Sequence, residues 1–136
     1  MATLRTSANS YNIGSPPPEL VWTLVRGDTA SFKVFVTDDS LAALFVPDWD
    51  IEMDIKRDEL VVVTLTPQPI FDPVDDEHIP GEFLVKLTAN ESNLLRTGDL
   101  FDIQMTNTST NEDSIGFGQV WTVARGTVVV IEDITR

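Results

Sequence analysis

The chain has 136 residues, 42% of them hydrophobic, which suffices for one domain with its own core. Its formal net charge of −13 opposes non-specific nucleic-acid binding, where each phosphate contact needs a cation, and opposes docking on anionic lipid. With no cysteine, there is no disulfide, no thiolate nucleophile and no thiolate metal ligand. Eight prolines and seven glycines, with many Thr and Val, tilt the class toward short strands and turns. No apolar run reaches the length of a membrane span. The opening Met1-Ala2-Thr3-Leu4-Arg5 lacks the apolar stretch of a signal peptide, so assembly in a cytoplasm is expected.

Residues 1–19 differ in composition from the rest. Rich in Ser, Asn, Thr and Gly, they close on Pro16-Pro17-Pro18, a stiff extended segment. Such an arm does not bury enough apolar surface to order itself, so a neighbouring subunit is expected to hold it. Residues 20–136 form the second unit, a run of short strands. Ala30, Phe32, Val34 and Val36 share one face, with Ser31, Lys33 and Thr37 on the other. Trp49-Asp50-Ile51-Glu52-Met53-Asp54-Ile55-Lys56 alternates without a break, which places Trp49, Ile51, Met53 and Ile55 inward and the charged residues in water. Segments 61–65, 82–87, 101–106, 117–123 and 127–131 complete the set, with Phe101, Ile103 and Met105 buried. One-sided alternation means antiparallel sheets sharing a core, and two stacked sheets make a sandwich.

Residues 22–29 and 121–128 read almost alike, each a β-prone run reaching Arg-Gly and followed by another β-prone run. A glycine there supplies the positive φ of a tight reversal, so Gly27 and Gly126 are expected at hairpin corners. Thr88-Ala89-Asn90-Glu91 matches a capping box, and Gly98 sits where a helix stops, which predicts one short helical turn. The segments around Asp38-Asp39-Ser40, from 73 to 80 and from 106 to 114 read as polar loops.

Each candidate for chemistry has a simpler structural explanation. Asp72, Asp75, Asp76, Glu77 and the single histidine, His78, fall in one loop, but adjacent loop side chains point outward and no second histidine completes a zinc site. Asp48, Asp50 and the Asp75-Asp76-Glu77 run offer oxygen ligands to calcium without matching an EF-hand loop, so no metal or cofactor is expected. Arg26-Gly27-Asp28 spells an integrin-type tripeptide, but two strong strands squeeze it, and turn geometry accounts for it. One histidine makes no Ser-His-Asp triad, and neither GxGxxG nor GxxxxGK[ST] occurs, so the chain reads as no enzyme. Trp22, Trp49 and Trp121 lie among core positions of their strands, which favours packing over a sugar-stacking platform. Phe35 falls on the polar parity of its strand, hinting at an outer patch covered by a partner or by the arm.

The order of these pieces resembles a known family. Val25-Arg26-Gly27-Asp28-Thr29 is followed by Phe32, Val34, Val36 and Asp38 at alternate positions, then by the 49–56 strand. Leu87-Thr88-Ala89-Asn90-Glu91, Phe101-Asp102-Ile103-Gln104 and a valine-rich close at Asp133-Ile134-Thr135-Arg136 come next. Over residues 20–136 this is similar to the small immunoglobulin-like domains of tailed-phage virion proteins, including the amino-terminal domain of upper baseplate proteins. The arm has no counterpart in that pattern, and the sequence stops where baseplate relatives continue into a trimerising or receptor-binding region.

The resemblance implies an all-β, immunoglobulin-like antiparallel sandwich of about seven or eight strands with one helical turn, preceded by the arm. It implies a non-enzymatic, multi-copy structural subunit of a virion, a tail or baseplate-type adaptor whose partners are other virion proteins. Capsid decoration, a head-fibre base and a carbohydrate-binding module are the alternatives. Tyr11, Pro16, Pro17, Pro18 and Phe35 are the expected partner contacts.

Overall fold

Apolar side chains at every second position bury one face of a strand and leave the other wet. In the computed structural model, which describes residues 8–12, 17–37, 43–113 and 117–132, this pattern yields nine strands among the described residues. They are β1 (Ala8–Asn12), β2 (Glu19–Val25), β3 (Ala30–Thr37), β4 (Trp49–Arg57), β5 (Leu60–Leu65), β6 (Gln68–Phe71), β7 (His78–Leu87), β8 (Leu100–Asn107) and β9 (Val120–Ile131). One helical turn, α1 (Ala89–Ser92), and a 3-10 turn at Val46–Asp48 interrupt them. The segment Asp38-Asp39-Ser40 and the closing Asp133-Ile134-Thr135-Arg136 lie outside the described residues.

Two sheets result, ordered β1-β3-β7-β6 and β2-β9-β8-β4-β5. In an immunoglobulin sandwich, strands A-B-E-D form one sheet and C-F-G the other, with C′ added beyond C in the variable type. Here β3, β7 and β6 take the places of B, E and D, and β9, β8, β4 and β5 those of G, F, C and C′. The fold is an immunoglobulin-like β-sandwich. Its interior ladders are antiparallel, but both amino-terminal strands pair in parallel, β1 with β3 and β2 with β9.

The alternating residues do become the core. Phe32, Val34 and Val36 of β3 and Phe83, Val85 and Leu87 of β7 meet Trp49, Ile51, Met53 and Ile55 of β4 and Phe101, Ile103 and Met105 of β8 in one cluster. Trp22 stands edge-on to Phe32 at 4.9 Å and to Phe101 at 6.4 Å, which links the two layers. In β9 two consecutive residues, Val123 and Ala124, are buried. A register shift opposite Ile103 and Gln104 inserts one extra residue there and turns both inward.

The two Arg-Gly echoes prove unlike each other and neither is a hairpin corner. Gly27, at φ 83°, turns the chain from β2 to β3, which lie in different sheets, so this corner is a crossing between layers. Gly126 is not at a turn. The segments expected at 117–123 and 127–131 merge from Val120 on into one continuous strand, β9, with Gly126 inside it, while Phe117 and Gly118 form a turn before it. A Cβ at Gly126 would lie 2.1 Å from the Leu20 carbonyl oxygen and 2.8 Å from the Phe101 ring, so the glycine is needed for close approach of β2. The capping box forms as its sequence indicates: Thr88 Oγ1 accepts from Glu91 N–H at 3.1 Å, and Glu91 Oε1 accepts from Thr88 N–H at 2.9 Å. The helix ends at Ser92, well before Gly98.

Gly126→Ala should therefore force β2 off β9 and destabilise the fold by about 3 kcal/mol, the upper end of the usual penalty for overpacking. Denaturant unfolding of the variant checks this, and an unchanged midpoint would contradict the seam described here.

Candidate functional site

The polar chemistry of the chain lies on the outer face of the five-stranded sheet. Backbone pairing lines up Thr64, Asp54, Asp102, Arg125 and Glu19 across β5, β4, β8, β9 and β2 in one transverse row. Asp54 and Asp102 are directly opposite, an unfavourable like-charge pairing on a sheet. Asp54 Oδ1 accepts from the Thr64 hydroxyl at 2.9 Å, and Arg125 approaches Glu19 at 3.5 Å. Along β4, Asp50, Glu52 and Asp54 repeat at every second residue on the same face. No ion pair among the described residues engages these three. The face opens into a trough of about 900 Å³ whose walls carry charges of both signs, Lys56, Arg57, Arg96 and Arg125 among Asp58, Glu59 and other acids.

At one end of the trough an ion pair joins the sheet to the loop after α1. Arg57, at the end of β4, donates from Nε to Asp99 Oδ1 at 2.8 Å and from Nη2 to Asp99 Oδ2 at 2.7 Å. The same nitrogen donates to the Leu94 carbonyl at 2.9 Å, and Arg96 N–H donates to Asp99 Oδ2 at 2.8 Å. Asp99 is 2% exposed. Burial pushes its carboxyl up, but the Arg57 bonds, the Arg96 amide and both positive charges outweigh it and hold the group below its ordinary value. Nothing in local spacing joined these two residues, 42 apart in sequence.

The acidic loop before β7 uses its carboxylates internally. Asp72 Oδ1 accepts from Val74 N–H at 2.8 Å and Asp75 Oδ1 from Glu77 N–H at 3.0 Å. No group of three or more His, Cys, Asp or Glu side chains among the described residues is placed to hold a metal ion. His78 is not part of an outward loop. It opens β7, packs edge-on against Phe45 at 5.1 Å, and has both ring nitrogens out of water without a hydrogen-bond partner. Burial holds its pKa below the ordinary value.

Arg26-Gly27-Asp28 is tied into the fold. Arg26 Nε donates to both Glu132 carboxylate oxygens at 3.0 and 3.1 Å, its Nη1 to the Asn93 carbonyl at 3.1 Å, and Gly27 N–H to the buried Ser92 hydroxyl at 2.8 Å. Trp22 and Trp49 are buried, and half-buried Trp121 lies over Trp49 with ring centroids 4.2 Å apart. This packing leaves no flat row of indoles in water.

Two of the expected contact residues lie on neighbouring strands, Tyr11 in β1 and Phe35 in β3 with Ser10 in register with Phe35, while Pro17 and Pro18 precede β2 of the other sheet. Tyr11 lies in β1, in register with Val36 of β3. Pro16 is outside the described residues, while Pro17 and Pro18 are half-buried where the chain enters β2, the Pro18 carbonyl accepting from Arg125 N–H at 3.2 Å. Phe35 faces outward from β3 and is half-buried, with its ring against Gly81 of β7. The acid row on β4 was legible in the alternation but looked like an ordinary solvated face. Only the strand order reveals what lies beside it.

Fold and surface together define an immunoglobulin-like domain that carries its polar chemistry on faces and borders. No protein-family model matches the chain. No curated protein matches it either. Among solved structures, the ZIG-8 IG1 homodimer is similar, with 7% identity over 90% of this chain and 88% of that chain and a TM-score of 0.40.

Two titrations should be visible in stability against pH. His78 has its folded pKa below the unfolded one, so stability is full above about pH 6.5 and falls as the pH drops through the folded value. His78→Phe, which has no nitrogen to leave unpaired, should abolish that slope. Asp99, also depressed, contributes stability above its ordinary 3.8 that is lost as the pH falls through its folded value, and Asp99→Asn should flatten this lower limb. Denaturation midpoints measured from pH 8 to pH 2 test both, and unchanged slopes would refute the assignments.

Proposed function

We propose that the chain is a non-enzymatic structural subunit of a tailed-phage virion, an adaptor of tail or baseplate type that docks to neighbouring subunits through its amino-terminal segment and its sheet borders. The observation that carries this reading is where apolar side chains are left in water. Val21 on β2, Leu60 and Val61 on β5 and Phe71 on β6 are 59%, 72%, 52% and 50% exposed, and all three strands border their sheets. Border strands with exposed apolar side chains suit docking, since backbone hydrogen bonds and apolar contacts join subunits without a cleft. The ordered motifs shared with phage virion domains support the same reading. So does the tying-in of Arg26-Gly27-Asp28, which removes the flexible tip that adhesion to a receptor would use.

The test is incorporation into particles. Particles assembled with the full chain should contain it in many copies, and removal of residues 1–19, which also takes away β1 and Glu19 of β2, should prevent that while circular dichroism shows the remaining strands intact. Undiminished incorporation without residues 1–19 would take the amino-terminal segment out of the mechanism, and absence of the full chain from particles would defeat the proposal. Gold labelling of intact particles places the subunit on tail or head and so separates the adaptor from a capsid-decoration role.

A further inference from the structure

β4 is bordered unequally along its two sides. On one side β8 pairs with it from Trp49 to Lys56. On the other, β5 pairs only from Met53 to Arg57, after which the chain leaves for β6 in the other sheet. Over Trp49, Asp50, Ile51 and Glu52, no strand among the described residues lies on the β5 side of β4. A short length of strand, otherwise interior to the sheet, is thus an open border with no ladder partner on that side; its Trp49 N–H donates to the Val46 carbonyl, which leaves the Ile51 backbone as its centre.

The side chains along this border alternate in chemistry. Trp49 and Ile51 are buried below the sheet, while Asp50 and Glu52 are exposed above it, with Asp54 next in the row. Successive acids on one face of a strand are spaced by two residues, roughly 6.6–6.8 Å. An extended segment laid beside β4 carries its own alternate side chains at the same spacing. Cationic residues at those positions would stand as direct cross-strand partners of Asp50 and Glu52, about 5 Å away. Beyond Glu52 the segment would meet β5, whose Leu65 and Thr64 already pair with Met53 and Asp54, so the site holds two cationic positions. The intervening positions would face down, on the side of buried Trp49 and Ile51, which calls for apolar side chains.

We infer that the open half of β4, Trp49 to Glu52, is a strand-addition site for an extended segment of another protein that carries Lys or Arg at alternate positions. The inference rests on the reading of the chain as a subunit that docks through its sheet borders and gives one of those borders its partner chemistry. The net charge of −13 favours a cationic partner over a second copy of the chain, whose own acids would meet these.

The full chain should be titrated with a short blocked peptide of alternating Lys and Val, followed by fluorescence anisotropy. Three peptides serve as controls: the same composition with the lysines grouped at one end, the alternating peptide N-methylated at every second amide, and alternating Glu and Val. The alternating Lys peptide should bind saturably and protect the Ile51 amide from hydrogen exchange. Each control should bind about tenfold more weakly or worse. Asp50→Lys combined with Glu52→Lys, both at exposed positions and so compatible with folding, should weaken binding by a similar factor while leaving the circular dichroism unchanged. Equal binding of the grouped or N-methylated peptide would reduce the effect to charge attraction and overturn the site. Binding unaffected by the double variant would overturn it as well. Self-association of the chain by light scattering that the double variant abolishes would assign the border to a second copy instead. Peptide binding is read on the free chain, so its failure leaves the incorporation experiment, and the docking reading it tests, standing separately.

Discussion

The fold depends on how closely the backbone of β2 lies against that of β9. At Gly126 the missing side chain lets the Leu20 carbonyl come within a distance that no Cβ would tolerate. Seven residue pairs then run in parallel register, from Glu19 with Arg125 to Val25 with Ile131. The seam fixes where β2 ends, and the corner at Gly27 must then carry the chain across to β3 in the opposite layer. Arg26 reinforces it by gripping Glu132 just beyond β9 and the Asn93 carbonyl after α1. Trp22 is delivered into the core by the same strand, between Phe32 of one sheet and Phe101 of the other. The early and late ends of the domain are in this way part of one unit.

Period-two alternation made most strands readable, because burying one face of a sheet requires it whatever the topology. Trp49 through Ile55 and Phe101 through Met105 are buried as their parity demands. Alternation says nothing about which strands are neighbours, and the errors arose there. Gly27 and Gly126 sit in similar sequences, yet one needs its left-handed φ and the other its lack of a side chain, and only the neighbouring backbone distinguishes them. β6 escaped notice because Pro67 and Pro69 flank Gln68 and break the alternation; on a border, Pro69 forfeits no ladder bond that the sheet needs. His78 looked like one more polar loop residue, but pairing of Phe71 with His78 draws it into β7 beneath Phe45. The Arg57–Asp99 pair depends on the end of β4 meeting the loop after α1, a long-range contact without any local signature.

The surface shows a division of labour between strands. Acids on β4 and β8 face solvent together and are tolerated because most keep their hydration, whereas Asp99, the one buried acid among the described residues, is met by Arg57 and by the Arg96 amide. The borders of the sheets carry exposed valine, leucine and phenylalanine. Over its first four residues β4 joins an acidic outer face to an open border. This coincidence of charge and open backbone distinguishes that stretch from the mixed charges of the trough and the apolar borders.

The contact of Trp22 with Phe32 and Phe101 has a consequence for the conditions under which the domain can exist. The two layers are clasped by ring edges, with no sulfur in the chain to lock them. Joining the layers therefore consumes no oxidant, and glutathione has nothing to cleave. No mispaired bridge can trap a half-formed sandwich, and the clasp can open and reclose any number of times without leaving a covalent record.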